Sequence, residues 1–287
     1  MTILMNEMPP ILVAGLFREL NGHLARLLRS LATEDWHRPT ASSGRNVKDI
    51  ASHLLDGSVR RLSVQRDGYS PPDAPAGFSS SQELVAYLHR VNGDWTGATR
   101  RISPRLLVEW IGRAGEELGD FFEGLDPFAP ALYPVAWAGE EQSAHWFDLA
   151  REFTEKWHHT QQIFEAVGIP STITTRRLMH PCLDAFLRAL PFTFRQVSAE
   201  EATSIGVAVR GEAGGDWFLV RQAGRWRQVL EGSGRPTAGV SLGQDSAWKL
   251  FTKRMDRQVA LARFPDIAIE GDRELGLHVL NMVCVMA

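Results

Sequence analysis

Cysteine is scarce in this chain of 287 residues, which contains just two, Cys182 and Cys284. Neither belongs to a CxxC pair, and two cysteines cannot build a disulfide framework in a chain of this length. A surplus of positive charge is also missing, because 31 Lys and Arg residues face 34 Asp and Glu residues. A nucleic-acid-binding protein normally carries a clustered basic excess that neutralises phosphates. The sequence therefore predicts a protein of a reducing compartment without a nucleic-acid partner.

Long apolar runs are absent as well. No run reaches the roughly 20 residues that a membrane-spanning helix needs. The first residues lack the basic segment of a secretory signal peptide, and Asn6, Glu7 and a pair of prolines interrupt their apolar pattern. What the chain does contain, 44% hydrophobic and 23% charged residues, is typical of a soluble globular protein. We therefore expect a cytoplasmic protein with no membrane partner.

Apolar residues recur at helical spacing through the first 170 residues. The pattern predicts helices over about residues 10–34, 46–68 and 103–125, one that begins near Ser81, and one from about Ser143 to Gly168. Pro170 follows Gly168 by two residues, which is typical of the end of a helix. Because a bundle is the most economical packing for up to five long helices, we predict an all-α bundle domain over residues 1–170.

The pattern changes after residue 170. Short segments rich in β-branched and aromatic residues, separated by turns that contain glycine, predict strands. These segments are residues 204–211, 216–224, 225–232, 237–243 and 266–271, with helices predicted over 175–190, 244–255 and 272–287. Strands followed by helices are typical of an α+β fold. We therefore predict a smaller α+β domain over residues 171–287.

Residues 151–168, REFTEKWHHTQQIFEAVG, combine helical spacing with a polar stripe. A solvent-exposed helix face explains such a stripe without any site. Glu155 and His159, however, are four residues apart, so their side chains lie next to each other and can bind one ion. His158 points about 100° away from His159, so at most one of the two histidines is expected to bind beside Glu155.

A third ligand is available from the second helix. His53 lies at the edge of the apolar stripe of that helix, so it would face partly inward in a bundle. A lone half-buried histidine is often a structural residue that is hydrogen-bonded to the backbone. Together with Glu155 and His159, it would provide two imidazoles and one carboxylate. That set suits Zn²⁺ or another late divalent ion and leaves coordination positions open, as in catalytic sites.

The segments around these residues resemble a known family. WHRPTASSGRNVKDIASHLLDG and REFTEKWHHTQQIFEAVG are similar to the two metal-bearing helices of the mycothiol-dependent maleylpyruvate isomerases, and IEGDRELGLHVLNMVCVMA resembles the end of their C-terminal domain. The resemblance implies an all-α four-helix bundle (DinB-like) followed by a smaller α+β domain similar to sterol-carrier proteins (SCP2-like). It also implies that the metal ligands are His53, Glu155 and His159.

Some positions depart from the family pattern. Arg45 stands where a tryptophan is common, and His158 stands where an apolar residue is usual. Gln162 and Phe164 replace an Asp and an Arg that are often found after the second histidine. The metal ligands are retained despite these departures, but the identity of the substrate does not follow from the resemblance.

The family resemblance implies an enzyme that uses a divalent metal, with zinc as the expected ion, and a low-molecular-weight thiol such as mycothiol. The metal would stabilise the thiolate, which would add to the cis double bond. The bond would rotate while single, and elimination of the thiolate would then return the trans isomer. The thiolate could instead be transferred to an electrophile. A dicarboxylate substrate would pair with arginines, for which Arg60 and Arg210 are the predicted catalytic residues. The alternative is a non-catalytic metal- and small-ligand-binding protein with an apolar pocket in the C-terminal domain. Structural zinc usually has four protein ligands, which weighs against that alternative.

Overall fold

The computed structural model describes residues 8–71, 75, 81–252 and 256–284, which divide into two compact units. The helical unit comprises residues 12–132 and 152–173. The mixed unit comprises residues 133–151 together with the described residues before Leu12 and after Ile173. No helix in the described ranges is long and apolar enough to span a membrane.

The units differ from the predicted domains, 1–170 and 171–287, mainly in residues 133–151, which belong to the mixed unit. Two contacts explain this difference. Gly139 has a positive φ of 85°, and a Cβ atom at this position would lie 2.5 Å from Cδ2 of Phe192. The guanidinium carbon of Arg188 lies 5.7 Å from the ring centroid of Trp146. Both contacts join residues 133–151 to residues after position 170, where the predicted domain boundary lies.

In its described residues, the helical unit contains four complete α-helices and most of a fifth. They are α1 (Phe17–Ser30), α2 (Val47–Arg60), α3 (Ser81–Thr99), α4 (Pro104–Glu123) and α5 (His145–Val167), of which residues 152–167 belong to this unit. A π-helical turn, Arg61–Arg66, extends α2. Each helix lies where the apolar spacing predicts one, so the helical character of the N-terminal domain is confirmed.

Aromatic side chains pack together in the core of the helical unit. The ring of Phe17 on α1 lies 4.8 Å from that of Phe122 on α4 and 5.4 Å from that of Phe153 on α5, both in edge-to-face geometry. Trp157 is fully buried, and its Nε1 donates a hydrogen bond to the Ile173 carbonyl at 2.8 Å. Nε1 of Trp95 on α3 donates a hydrogen bond to the Ser52 carbonyl of α2 at 3.0 Å. The arrangement of the helices as a four-helix bundle stays a prediction.

The mixed unit is built around a five-stranded sheet with the order β3-β2-β1-β4-β5. The strands are β1 (Ser204–Arg210), β2 (Gly215–Gln222), β3 (Arg225–Val229), β4 (Ala238–Gly243) and β5 (Ala268–Gly271). β1 and β4 are parallel, and the other neighbouring pairs are antiparallel. The helices are α6 (Arg176–Leu187), α7 (Leu190–Thr193), α8 (Gln244–Phe251), α9 (Arg257–Arg263) and α10 (Arg273–Val279). The α+β prediction is confirmed, whereas the likeness to sterol-carrier proteins stays a prediction.

Candidate metal centre

His53 owes its position to the start of α2. The side chain of Asn46 accepts a hydrogen bond from the Asp49 backbone at 2.9 Å, and the Asp49 carboxylate accepts one from the Asn46 backbone at 3.2 Å. This reciprocal pair satisfies backbone donors that a helix end leaves unpaired. His53 lies two turns further along α2, with 10% of its side chain exposed.

Glu155 and His159 lie on α5, whose polar stripe is buried rather than exposed to solvent. Phe153 and Trp157 are fully buried on one side of the helix. On the other side, His159 and Gln162 are 7% and 5% exposed, so the alternative of a solvent-exposed face is wrong for these two residues. The Glu155 side chain is 36% exposed and therefore connects the stripe to solvent.

The structure brings His53, Glu155 and His159 together. Oε1 of Glu155 lies 3.1 Å from Nε2 of His53 and 3.1 Å from Nε2 of His159. The two imidazole rings are nearly perpendicular at 82°, with centroids 4.9 Å apart. One ligand atom from each of the three residues lies within 4.8 Å of the other two. Two nitrogens and one carboxylate oxygen at this spacing could surround one divalent ion.

Hydrogen bonding sets the tautomer of His159. Nδ1 of His159 lies 2.9 Å from Oε1 of Gln162, and an amide oxygen can only accept, so Nδ1 carries the hydrogen. In the neutral ring, Nε2 is then an acceptor and points at Oε1 of Glu155, which is also an acceptor. Two acceptors at this distance attract each other only if a cation, a proton or a metal ion, lies between them. A proton on Nε2 would satisfy this need, and a divalent ion that replaced the proton would satisfy it as well.

The pKa values of two candidate ligands are shifted. Burial favours a raised pKa for the Glu155 carboxyl, but the charge and hydrogen bond of His159, with the hydrogen bond of His53, hold that pKa well below its usual range. Burial lowers the pKa of His53, which outweighs the opposing hydrogen bond to Glu155. Metal ligands must be deprotonated carboxylates and neutral imidazoles. Glu155 and His53 hold these protonation states near neutral pH.

His158 lies next to the cluster but points elsewhere. Its Nδ1 donates to the Thr154 carbonyl at 3.1 Å and lies 3.8 Å from Oε2 of Glu155. Burial, together with the neighbouring charge of His159, lowers the pKa of His158 to about 3. The ring is therefore neutral, with its donor committed to the backbone of the preceding helical turn.

A buried ion pair lies near the cluster, and the sequence did not predict it. Glu152 is one turn before Glu155 on α5. Arg61, the first residue of the π-helical turn that extends α2, is about two turns beyond His53. Nη2 and Nε of Arg61 lie 3.0 and 3.2 Å from Oε2 of Glu152. The two side chains are 5% and 15% exposed. No sequence signal separates Arg61 from the predicted Arg60, because adjacent arginines look alike until the fold shows which one is buried.

The two predicted catalytic arginines both have acidic neighbours. Nε of Arg60 lies 3.1 Å from Oδ2 of Asp56, and its Nη2 donates to Asn92 at 3.2 Å. Arg210 lies on β1 in the mixed unit, where its Nη1 is 3.1 Å from Oδ1 of Asp216. A role for either in substrate binding stays a prediction.

A separate cavity of about 470 Å³ lies in the helical unit between α2, α3 and α4. Its lining includes the apolar and aromatic side chains of Leu55, Val59, Leu62, Trp95 and Trp110. None of the three candidate ligands lines this cavity in the described part of the chain. The cavity is therefore distinct from the cluster.

Comparisons with known proteins agree with this architecture. The family model "Mycothiol maleylpyruvate isomerase N-terminal domain" matches residues 17–164, which include the whole cluster. A crystal structure of a histidine-to-alanine mutant of the mycothiol-dependent maleylpyruvate isomerase has 10% sequence identity and a TM-score of 0.51. The alignment covers 91% of this chain and 93% of the chain in that crystal structure. A second structure of that isomerase has the same identity and coverage and a TM-score of 0.49.

At such low identity, the structural likeness supports the fold alone. No curated protein sequence matches the chain. The family model, in contrast, covers just over half of the chain, from α1 to the last turns of α5. The chain therefore belongs to the enzyme family defined by the mycothiol maleylpyruvate isomerase N-terminal domain.

Proposed function

We propose that this chain is a divalent-metal-dependent isomerase that uses mycothiol or a similar low-molecular-weight thiol, and that maleylpyruvate or a related cis-unsaturated diacid is its substrate. The observation that carries the proposal is the convergence of His53, Glu155 and His159 within 4.8 Å, inside the segment that matches the isomerase family model. The solved structure with a TM-score of 0.51 is also named as a mycothiol-dependent maleylpyruvate isomerase.

The three converging residues would hold the metal, and zinc is the expected ion. Two imidazoles and one carboxylate leave at least one coordination position open, as catalytic zinc sites do. When bound, the ion would supply the positive charge that stabilises a coordinating thiolate near neutral pH. Cys182 and Cys284 offer no substitute for an external thiol, because both are buried and burial raises the pKa of each well above its usual range.

The chain's own residues supply orientation and access. The side chains of His53 and His159 are mostly buried and would limit the access of water to the cluster, whereas the Glu155 side chain is partly exposed to solvent. Arg60 lies seven residues after His53 on α2, with 38% of its side chain exposed. Its guanidinium matches the geometry of a carboxylate, so Arg60 is the proposed partner of one substrate carboxylate.

A specific observation favours a second candidate, thiol transfer to an electrophile. Arg60 already lies beside Asp56, and Arg210 beside Asp216. Arginines that are already neutralised attract a diacid less strongly than a pair without acidic neighbours would. An acceptor with fewer negative charges would fit such surroundings, and activation of the thiol would need no change in the cluster.

The deciding experiment measures turnover of maleylpyruvate by the zinc-loaded protein with mycothiol, without thiol, and after removal of the metal with a chelator. We expect conversion to the trans isomer only when both metal and thiol are present. A parallel assay follows conjugation of mycothiol to an electrophile such as 1-chloro-2,4-dinitrobenzene. Conjugation without isomerisation would replace the first candidate by the second. A zinc-loaded protein that accelerates neither reaction would overturn the proposed activity.

A further inference from the structure

Gln162 is the direct neighbour of the metal cluster on α5. It lies three residues after His159, on the same face of the helix, and is 5% exposed. Its Oε1 accepts the hydrogen bond from Nδ1 of His159 at 2.9 Å. At this depth few water molecules compete for either group, so the hydrogen bond determines the orientation of the ring.

We propose that Gln162 is a positioning residue of the metal centre: it holds His159 in the Nδ1–H tautomer and directs the Nε2 lone pair toward Oε1 of Glu155. The inference rests on the proposed metal binding and deepens it. The alternative tautomer would place a hydrogen on Nε2, where it would exclude a metal ion. Gln162 therefore selects the only tautomer of neutral His159 that can bind the ion through Nε2.

The Nδ1 atoms of the two histidines in the cluster differ in their hydrogen bonding. Nδ1 of His53 is buried and has no hydrogen-bond partner in the part of the chain that the structure describes. Asp56, three residues later on α2, has a buried Oδ2 that is 3.1 Å from Nε of Arg60 but makes no aligned hydrogen bond within the described ranges. The described hydrogen bonds thus orient His159 and leave Nδ1 of His53 unpaired, so the geometry of the cluster depends on Gln162.

The charge of the supporting group also matters. A carboxylate that accepts from a ligating histidine makes the imidazole more basic and donates more charge to the ion. The amide of Gln162 is neutral, so it orients His159 without that effect. We therefore expect the ion to keep more positive charge, which favours the thiolate form of a coordinating thiol.

Three variants separate orientation from charge and from simple loss of packing. Gln162→Leu removes the acceptor at nearly constant volume, and Gln162→Glu keeps an acceptor but adds a charge. Gln161→Leu is the matched control, because Gln161 is also 5% exposed and accepts a hydrogen bond from Oγ of Ser171 at 2.6 Å, away from the cluster. The control thus removes a buried amide from the same helix without changing the support of His159.

The first measurement needs no metal. Nitrogen-15 NMR of the histidines in the metal-free protein at pH 8 reports which ring nitrogen carries the hydrogen. We expect the Nδ1–H form of His159 in the unchanged protein and in Gln161→Leu, and a mixture that contains the Nε2–H form in Gln162→Leu. An unchanged Nδ1–H tautomer in Gln162→Leu would overturn the proposal even if the protein turned out to bind no metal.

The second measurement is metal affinity, from competition with a chromophoric chelator, and the visible spectrum of the cobalt-loaded protein. Loss of a hydrogen-bond partner of a ligating histidine typically weakens metal binding about 10–100-fold, which we expect for Gln162→Leu. We expect Gln162→Glu to restore the affinity and shift the cobalt bands. Equal weakening in Gln161→Leu would overturn the proposal. If Gln162→Leu fails to fold, Gln162→Glu decides, because cobalt bands that are not shifted by the added charge would also overturn the proposal.

Discussion

Oε1 of Glu155 lies 3.1 Å from Nε2 of His53, although 102 positions separate the two residues in the chain. The same oxygen lies 3.1 Å from Nε2 of His159. One carboxylate oxygen thus faces two imidazole nitrogens, one of which is an acceptor in its neutral form. A cation among these atoms would remove the repulsion between acceptors, and this relationship leads directly to the first prediction.

Removal of any one candidate ligand should abolish tight metal binding. His53→Ala, Glu155→Gln and His159→Ala each take away one donor of three, so we expect a loss of affinity larger than the ~10–100-fold loss typical of a supporting residue. Chelator competition followed by elemental analysis measures it. His89→Ala is the matched control, because His89 is exposed on α3. Zinc retained at full stoichiometry by all three variants would refute the assignment of the ligands.

The Arg61 and Glu152 pair should be strongly coupled in stability. Arg61→Ala removes the guanidinium that pairs with the mostly buried Glu152 carboxylate, and breaking a buried pair in this way typically lowers the free energy of unfolding by ~3–5 kcal/mol. The double variant Arg61→Met with Glu152→Leu should recover much of that loss, because apolar replacement of both partners removes the unpaired charge. Urea denaturation followed by circular dichroism measures both. If the two single losses simply add in the double variant, the pair is not coupled.

Lys156 should make stability depend on alkaline pH. Burial lowers the pKa of its ammonium from 10.5 to about 8, against the opposing charge of Glu152. Between these values the unfolded chain binds the proton that the folded chain has released, so the free energy of unfolding rises with pH. The full rise is about 3 kcal/mol. Denaturation midpoints from pH 7 to pH 10 should therefore increase more in the unchanged protein than in Lys156→Met. Parallel profiles would contradict this prediction.

The cap of α2 should contribute measurably to stability. Asn46→Ala removes the acceptor for the Asp49 backbone and is expected to lower the free energy of unfolding by ~1 kcal/mol. Asn46→Asp keeps an acceptor at this position and should restore most of that loss. Thermal denaturation of the metal-free protein compares the two variants without a contribution from bound ligand. Equal midpoints for Asn46→Ala and the unchanged protein would argue against a stabilising cap.

The order and type of the larger elements were predictable from sequence, because apolar spacing records which face is buried. In β4 the alternation of buried Ala238, Val240 and Leu242 with less buried residues is the period-two pattern that predicts a strand. The end of the last helix was predicted wrongly. The chain leaves the helix after Val279, and the backbone of Cys284 donates to the Phe251 carbonyl at 2.9 Å. Apolar residues there serve packing outside the helix, and residues 285–287 lie outside the described ranges.

The candidate site was only partly predictable. Spacing along α5 places Glu155 beside His159, but it cannot decide whether their face meets solvent or another helix. That decision depends on tertiary packing against α2, which the family resemblance implies and the spacing does not. The role of Gln162 and the burial of Arg61 were not predicted, because each depends on a partner distance that only the folded chain defines. The sequence indicated the candidate metal ligands better than the residues that contact or surround them.

The unequal exposure of the cluster has a consequence for the order in which its partners arrive. Its histidine side chains are 10% and 9% exposed, whereas that of Glu155 is 36% exposed and carries a carboxyl held in its ionised form. A dianion that approaches the metal-free protein meets negative charge first and is repelled, whereas a divalent cation is attracted along the same route. Under the proposed function, binding should therefore be sequential, with the cation preceding the diacid, and chelation should weaken diacid binding as well as turnover.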